Sequence, residues 1–180
     1  MERASHDPGV AFLKGLIRDV ADFPKPGIVF KDITPLLAHP AGLALAVELM
    51  AQPWRGQPVD LVVGAESRGF IFGTAVANAL SVGFVPGPKP GKLPAERRRF
   101  EYQLEYGSDA LEIHADGVRA GQRVLIVDDL LATGGTLAAC IALVRELGGV
   151  VAGVSVLIEL MGLVGRERLQ NVRVASVLRY

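Results

Sequence analysis

One cysteine, Cys140, is all the sequence holds among 180 residues. That excludes an internal disulfide framework and any cysteine-built zinc site, and it points to a reducing compartment. Histidine is scarce too: His6, His39 and His114 stand far apart, with no metal-ligand spacing. Net charge is absent, since 19 basic residues balance 19 acidic ones. No global field then draws the chain to nucleic acid or to an anionic membrane, and any bound anion must be held by a local arrangement. Long apolar runs are missing as well. The longest, Val150 to Gly165, is interrupted by Ser155 and Glu159 and is short for a bilayer span. Met1 to His6 lacks the apolar core of a signal peptide. No repeat or low-complexity segment is present. The expectation is a cytoplasmic protein with neither membrane nor nucleic acid as partner. Half the residues are hydrophobic, which suits a single domain over residues 1–180 with a sizeable core.

Periodicity supplies the coarse architecture. Val10, Leu13, Leu16, Ile17 and Val20 recur at helical spacing, which predicts an amphipathic helix over about 9–21. Pro24, Pro26 and Gly27 end it and predict an irregular stretch through Thr34. Helices are expected near 42–50, 69–80 and 135–147. Short apolar runs predict strands at 59–63, 82–85, 123–127, 150–158 and 172–178, with a turn near 166–169. Apolar strands alternating with helices indicate an α/β fold, a central parallel sheet with helices on both faces. Residues 86–117 break the pattern. Pro86, Pro88, Pro90 and Pro94 open a segment that reads as a mobile loop leading into a β-hairpin, with its turn at Gly107-Ser108-Asp109.

The richest stretch is Val124-Leu125-Ile126-Val127-Asp128-Asp129-Leu130-Leu131-Ala132-Thr133-Gly134-Gly135-Thr136. A buried strand ends in two carboxylates, a small-residue loop with a glycine pair follows, and a helix begins. The glycines let successive amides curl into a nest, and the helix N-terminus adds partial positive charge. Thr133 and Thr136 add hydroxyl donors. Such a site suits a phosphate monoester beyond the carboxyl end of a strand. The carboxylates would repel that phosphate unless they face sugar hydroxyls or a divalent cation. Neither a Walker loop nor a dinucleotide fingerprint is present.

Val127 to Thr136 resembles the phosphoribosyl pyrophosphate motif of the type I phosphoribosyltransferases. Phe23 to Pro35, Glu66-Ser67-Arg68-Gly69-Phe70, Gly91-Lys92-Leu93-Pro94 and Leu104-Glu105-Tyr106-Gly107 resemble the adenine phosphoribosyltransferase family, and the similarity runs from about Phe12 to the C-terminus. The resemblance implies the type I fold, with a hood segment over about 1–35, and purine salvage. Adenine and phosphoribosyl pyrophosphate would give AMP and pyrophosphate, with substrate-bound Mg2+, in a homodimer.

It also implies roles. Asp128 and Asp129 would hold the ribose hydroxyls, directly or through Mg2+-bound water, and Ala132, Thr133, Gly134, Gly135 and Thr136 the 5′-phosphate. Arg68, Lys89 and Lys92 would take the pyrophosphate, and a non-proline cis peptide would fall at Glu66–Ser67. Val29 and Lys31 would read the adenine edge through their backbone, with Phe30 and Leu130 on the ring faces. Glu105 would manage the purine N7 proton, and Tyr106 would anchor its loop. Two departures stand out. Lys31 replaces a usual arginine, and Gly87-Pro88 stands where a basic residue usually precedes the lysine matched by Lys89. Arg97-Arg98-Arg99 on the same segment is charge available to replace it.

Two other readings are weaker. Ala65 to Gly69 imitates a hydrolase nucleophile elbow, but the only histidine after Ser67 is His114, on the hairpin. A non-catalytic sensor of phosphoribosyl pyrophosphate would keep the loop, yet a repressor needs a nucleic-acid-binding module and none precedes residue 10. Cys140 falls inside a helix and reads as core packing.

Overall fold

The computed structural model describes residues 7–65, 67–87, 97–104, 107–169 and 171–180, with backbone only at 97, 99–104 and 107–109. Lys89, Lys92, Glu105 and Tyr106 lie outside the described residues, as does Glu66 of the expected cis peptide. The cis bond among the described residues is Phe23–Pro24. The chain divides into two compact units, Met1–Leu49 and Met50–Tyr180.

In the first unit, helix α1 spans Pro8–Gly15. The Asp7 carboxylate caps it by accepting the Gly9 amide at 2.7 Å, with Pro8 in the first turn. The helix expected to 21 stops there. Residues 18–21 instead form strand β1 (Arg18–Ala21), antiparallel to β2 (Val29–Asp32). Cross-strand ion pairs set this ribbon: Arg18 Nη2 lies 2.5 Å from Asp32 Oδ2, and Lys31 Nζ 2.7 Å from Asp19 Oδ1. The Thr34 amide and Arg18 together hold the Asp32 carboxyl down at about 2. Helices α2 (Thr34–Ala38) and α3 (Pro40–Ala51) follow, the latter running two residues into the second unit.

The second unit is built on a five-stranded parallel sheet. Strand β3 (Leu61–Ala65) leads through helix α4 (Arg68–Leu80) to β4 (Gly83–Gly87). The hairpin β5 (Arg97–Leu104) and β6 (Gly107–His114) comes next. Leu104 pairs with Gly107, so Gly107-Ser108-Asp109 lies inside a strand, not in the turn. Then come β7 (Arg123–Leu131), helix α5 (Gly135–Glu146), β8 (Val150–Glu159), two 3-10 turns and β9 (Val174–Arg179).

The sheet order is β4-β3-β7-β8-β9. Pro86 is tolerated because β4 is an edge strand. From the centre, α4 carries the chain outward one way and α5 the other. Right-handed crossovers in opposite directions place the two helices on opposite faces, with a topological switch point between β3 and β7. Val62, Val63, Val124–Val127, Leu137 and Val154–Leu157 fill the core around these strands. Cys140 is fully buried there, and burial pushes its thiol far above the ordinary range, which leaves it a packing residue.

Candidate active site

Strand β7 ends at the switch point. Residues 124–129 are buried, and Asp128 and Asp129 keep only 7% exposure each. The Asp129 amide donates to Asp128 Oδ1 at 2.9 Å. Burial and the adjacent Asp129 carboxylate push the Asp128 carboxyl well above the usual carboxylate range. The pair therefore favours a cation beside it. One is supplied from the neighbouring strand: Arg68, the first residue of α4 after β3, sets its Nε 2.7 Å from Asp129 Oδ2. This close approach needs Gly69, where a Cβ would stand 2.8 Å from Asp128 Oδ1.

Beyond Leu131 the chain turns through Ala132 and Thr133 to Gly134, whose φ of +80° is a left-handed conformation that favours glycine. Gly134 is the N-cap of α5, and no side chain caps that helix. The first-turn amides of a helix have no partner within it, and an anion can take the capping place there. A cleft of about 530 Å³ opens over them. Arg68, Asp128, Asp129 and Leu130 line one part, and Ala132, Thr133, Gly134, Gly135 and Thr136 the other. All nine were singled out from the sequence, and the fold brings them to one cavity.

Ser67 and Leu137 also line the cleft and were missed as site residues. Ser67 stands inside the Glu66-Ser67-Arg68-Gly69-Phe70 motif without a role assigned to it, and Leu137 directly follows Thr136. No histidine lines the cleft among the described residues, so Ser67 has no base there for a hydrolase triad. Among the described residues no three His, Cys, Asp or Glu side chains converge on a metal-sized site. A divalent cation here would draw two carboxylates from the protein and the rest of its shell from substrate and water, as a substrate-bound Mg2+ does.

Of the residues expected against a base, Leu130 lines this cleft, and Val29, Phe30 and Lys31 lie in the other unit, on β2. Val29 is 49% exposed, Phe30 packs edge-on against Phe23 with ring centroids 5.2 Å apart, and the Lys31 ammonium is paired with Asp19.

The family model of the phosphoribosyl transferase domain matches residues 32–176. An adenine phosphoribosyltransferase of Rhodopirellula baltica is 56% identical over 168 residues, 93% of this chain and 82% of its own length. The crystal structure of adenine phosphoribosyltransferase from Thermoanaerobacter pseudethanolicus superposes with a TM-score of 0.93 at 50% identity, covering 95% of this chain and 99% of that one. The Saccharomyces cerevisiae adenine phosphoribosyltransferase, crystallised with an iminoaltritol bisphosphate and adenine, gives 0.89 at 38% identity, covering 94% and 98%. By domain match, sequence and fold, this chain belongs to the phosphoribosyltransferases and, within them, to the adenine phosphoribosyltransferase family.

Proposed function

We propose that this protein transfers the 5-phosphoribosyl group of phosphoribosyl pyrophosphate to adenine, giving AMP and pyrophosphate in purine salvage. The observation that carries the reading is the pairing, in one cleft, of an uncapped helix N-terminus with two buried carboxylates and an arginine. A phosphate, a hydroxyl-rich cationic ribose and a departing pyrophosphate need those three chemistries side by side.

The nest from Ala132 to Thr136 binds the 5′-phosphate through backbone amides, the Thr133 and Thr136 hydroxyls and the α5 dipole. Breaking the bond from C1 to pyrophosphate develops positive charge on the ribose, as in other oxocarbenium-like chemistry. Asp128 and Asp129 hold the ribose hydroxyls and stabilise that charge from a site where water is scarce. Arg68 exchanges Asp129 for the pyrophosphate, joined by Lys89 and Lys92. When bound with substrate near Asp128 and Asp129, Mg2+ supplies Lewis-acid neutralisation of the leaving group.

The family resemblance assigns Phe30 and Leu130 to the faces of adenine and the Val29 and Lys31 backbones to its edge. Pairing of the Lys31 side chain with Asp19 supports that reading, because the family's arginine is then replaceable when the main chain makes the contact. Glu105 accepts the N7 proton while N9 attacks, and Tyr106 anchors its loop. Family membership supports a cytoplasmic protein and a homodimer, and light scattering measures the second. No helix among the described residues is long and apolar enough to cross a membrane. Incubation with radiolabelled adenine, phosphoribosyl pyrophosphate and Mg2+ tests the whole reading: labelled AMP must form, and must not form when phosphoribosyl pyrophosphate is left out.

A further inference from the structure

Behind the phosphate loop runs a segment that belongs to no strand, two 3-10 turns at Met161–Leu163 and Gly165–Leu169. Gly165 lies directly against the back of the loop. A Cβ there would collide with the Ala132 carbonyl oxygen and stand 2.9 Å from the Gly134 nitrogen. A Cβ on Gly134 would in turn stand 2.5 Å from the Gly165 carbonyl oxygen. Backbone rests on backbone, with no side chain between to take up slack. Val164, just before, has φ +45°, a left-handed conformation that a β-branched residue keeps only where its surroundings impose it.

The main-chain tethers of this segment lie at its start: the Leu160 amide donates to the Leu131 carbonyl and Met161 to Tyr180, both at 2.9 Å. Beyond Val164, Leu169 anchors the far end of the segment in the core, and the Arg166 side chain ties the residue next to Gly165. Its Nε donates to Glu159 Oε1 at 2.7 Å and its Nη2 to Oε2 at 2.6 Å, while Nη1 reaches the Val174 carbonyl at 3.1 Å. Glu159 is 3% exposed and closes β8, directly opposite Leu131 of β7. The Ser176 hydroxyl donates to its Oε2. A two-point arginine–carboxylate pair fixes orientation as well as distance, and here it joins the strand beside the loop to the residue after Gly165.

We infer that Arg166 is a positioning residue for phosphate recognition: through Glu159 it clamps Gly165 against Ala132–Gly134 and so aims the loop amides. The inference rests on the proposed reading that this loop holds the 5′-phosphate. Arg166 and Glu159 touch no substrate. Their removal tilts one end of the site, so the damage falls on the phosphoribosyl substrate and spares adenine.

The test compares Arg166→Met with Arg123→Met. The latter breaks a like two-point pair with Asp60 at the opposite end of β7. Ribose 5-phosphate binding is measured by calorimetry, and KM for each substrate by initial rates. Arg166→Met is expected to raise the Kd for ribose 5-phosphate and the KM for phosphoribosyl pyrophosphate about tenfold, with the adenine KM within about twofold. Arg166→Lys, which keeps the charge and loses the fork, should recover part of the loss. If Arg166→Met does not fold, Glu159→Gln decides by the same readouts. An Arg166→Met or Glu159→Gln protein that matches Arg123→Met in both would overturn the clamp while leaving the activity standing. A wild-type protein that neither binds ribose 5-phosphate nor makes AMP would overturn the phosphoribosyl reading, and the clamp with it.

Discussion

Replacing Gly134 by alanine perturbs the phosphate loop at its tightest point, and two separate costs follow from the structure. The backbone sits at φ +80°, where a Cβ costs about 1–2 kcal/mol. The new methyl would also stand 2.5 Å from the Gly165 carbonyl oxygen and 3.2 Å from its carbon. Both are backbone atoms, and forcing them apart costs about 1–3 kcal/mol in a packed region. The sum, about 2–5 kcal/mol, divides between two outcomes. If the loop keeps its shape, stability falls, at about 2–4 °C in Tm per kcal/mol for a chain of this size. If the loop tilts off Gly165, stability is spared and the amides no longer converge on phosphate.

Gly121→Ala separates the two costs, because Gly121 has the same φ of +80° with nothing within 4 Å of the added carbon. It should lose only the backbone share, about 1–2 kcal/mol. Urea unfolding and ribose 5-phosphate calorimetry on both variants read the two outcomes. A Gly134→Ala protein no less stable than Gly121→Ala, and binding ribose 5-phosphate within about twofold of wild type, would show that Gly165 does not constrain the loop.

With Arg68 holding pyrophosphate as proposed, Arg68→Met removes a charge-assisted contact of about 1.5–3 kcal/mol. Its KM for phosphoribosyl pyrophosphate should rise at least about tenfold, with that for adenine nearly unchanged in initial-rate assays. The pair of Asp60 with Arg123 gives a stability signature in pH. Hydrogen bonds from Arg123 hold the Asp60 carboxyl down at about 2, below its unfolded value of about 3.9. Its stabilisation is therefore complete above about pH 5 and is lost as pH falls from about 4 to 2. Urea midpoints of wild type and Arg123→Met should differ by a constant amount above pH 5 and converge through that acid window.

Much of the sheet was legible because β3, β7 and β8 are buried on both faces and so carry continuous apolar runs. The phosphate loop was legible for a different reason: two carboxylates, a glycine pair and two threonines at a strand-to-helix turn are chemistry that packing alone does not ask for. The ribbon of β1 and β2 was not legible. Its strands have four residues each, and ion pairs link Arg18 to Asp32 and Lys31 to Asp19. Val20 happened to continue the spacing of the helix that stops at Gly15. The clamp behind the loop was hidden as well. Glu159 reads in sequence as a polar interruption of an apolar tract, and only the fold brings Arg166 and Ser176 to it. Contacts of Gly165 with Ala132 and Gly134 join segments distant in the chain, and no periodicity carries that.

In the proposed reaction the buried carboxylates at the end of β7 face the cationic ribose while the loop beyond them holds the phosphate. The most direct measurement is the rate of AMP formation from adenine and phosphoribosyl pyrophosphate in a doubly substituted protein, Asp128→Asn with Asp129→Asn. Loss of both charges opposite the transition state should abolish turnover, at least about a thousandfold, while the far-ultraviolet spectrum keeps its native shape. A correctly folded double variant retaining activity within about tenfold of wild type would show that the carboxylate charges do not stabilise the transition state.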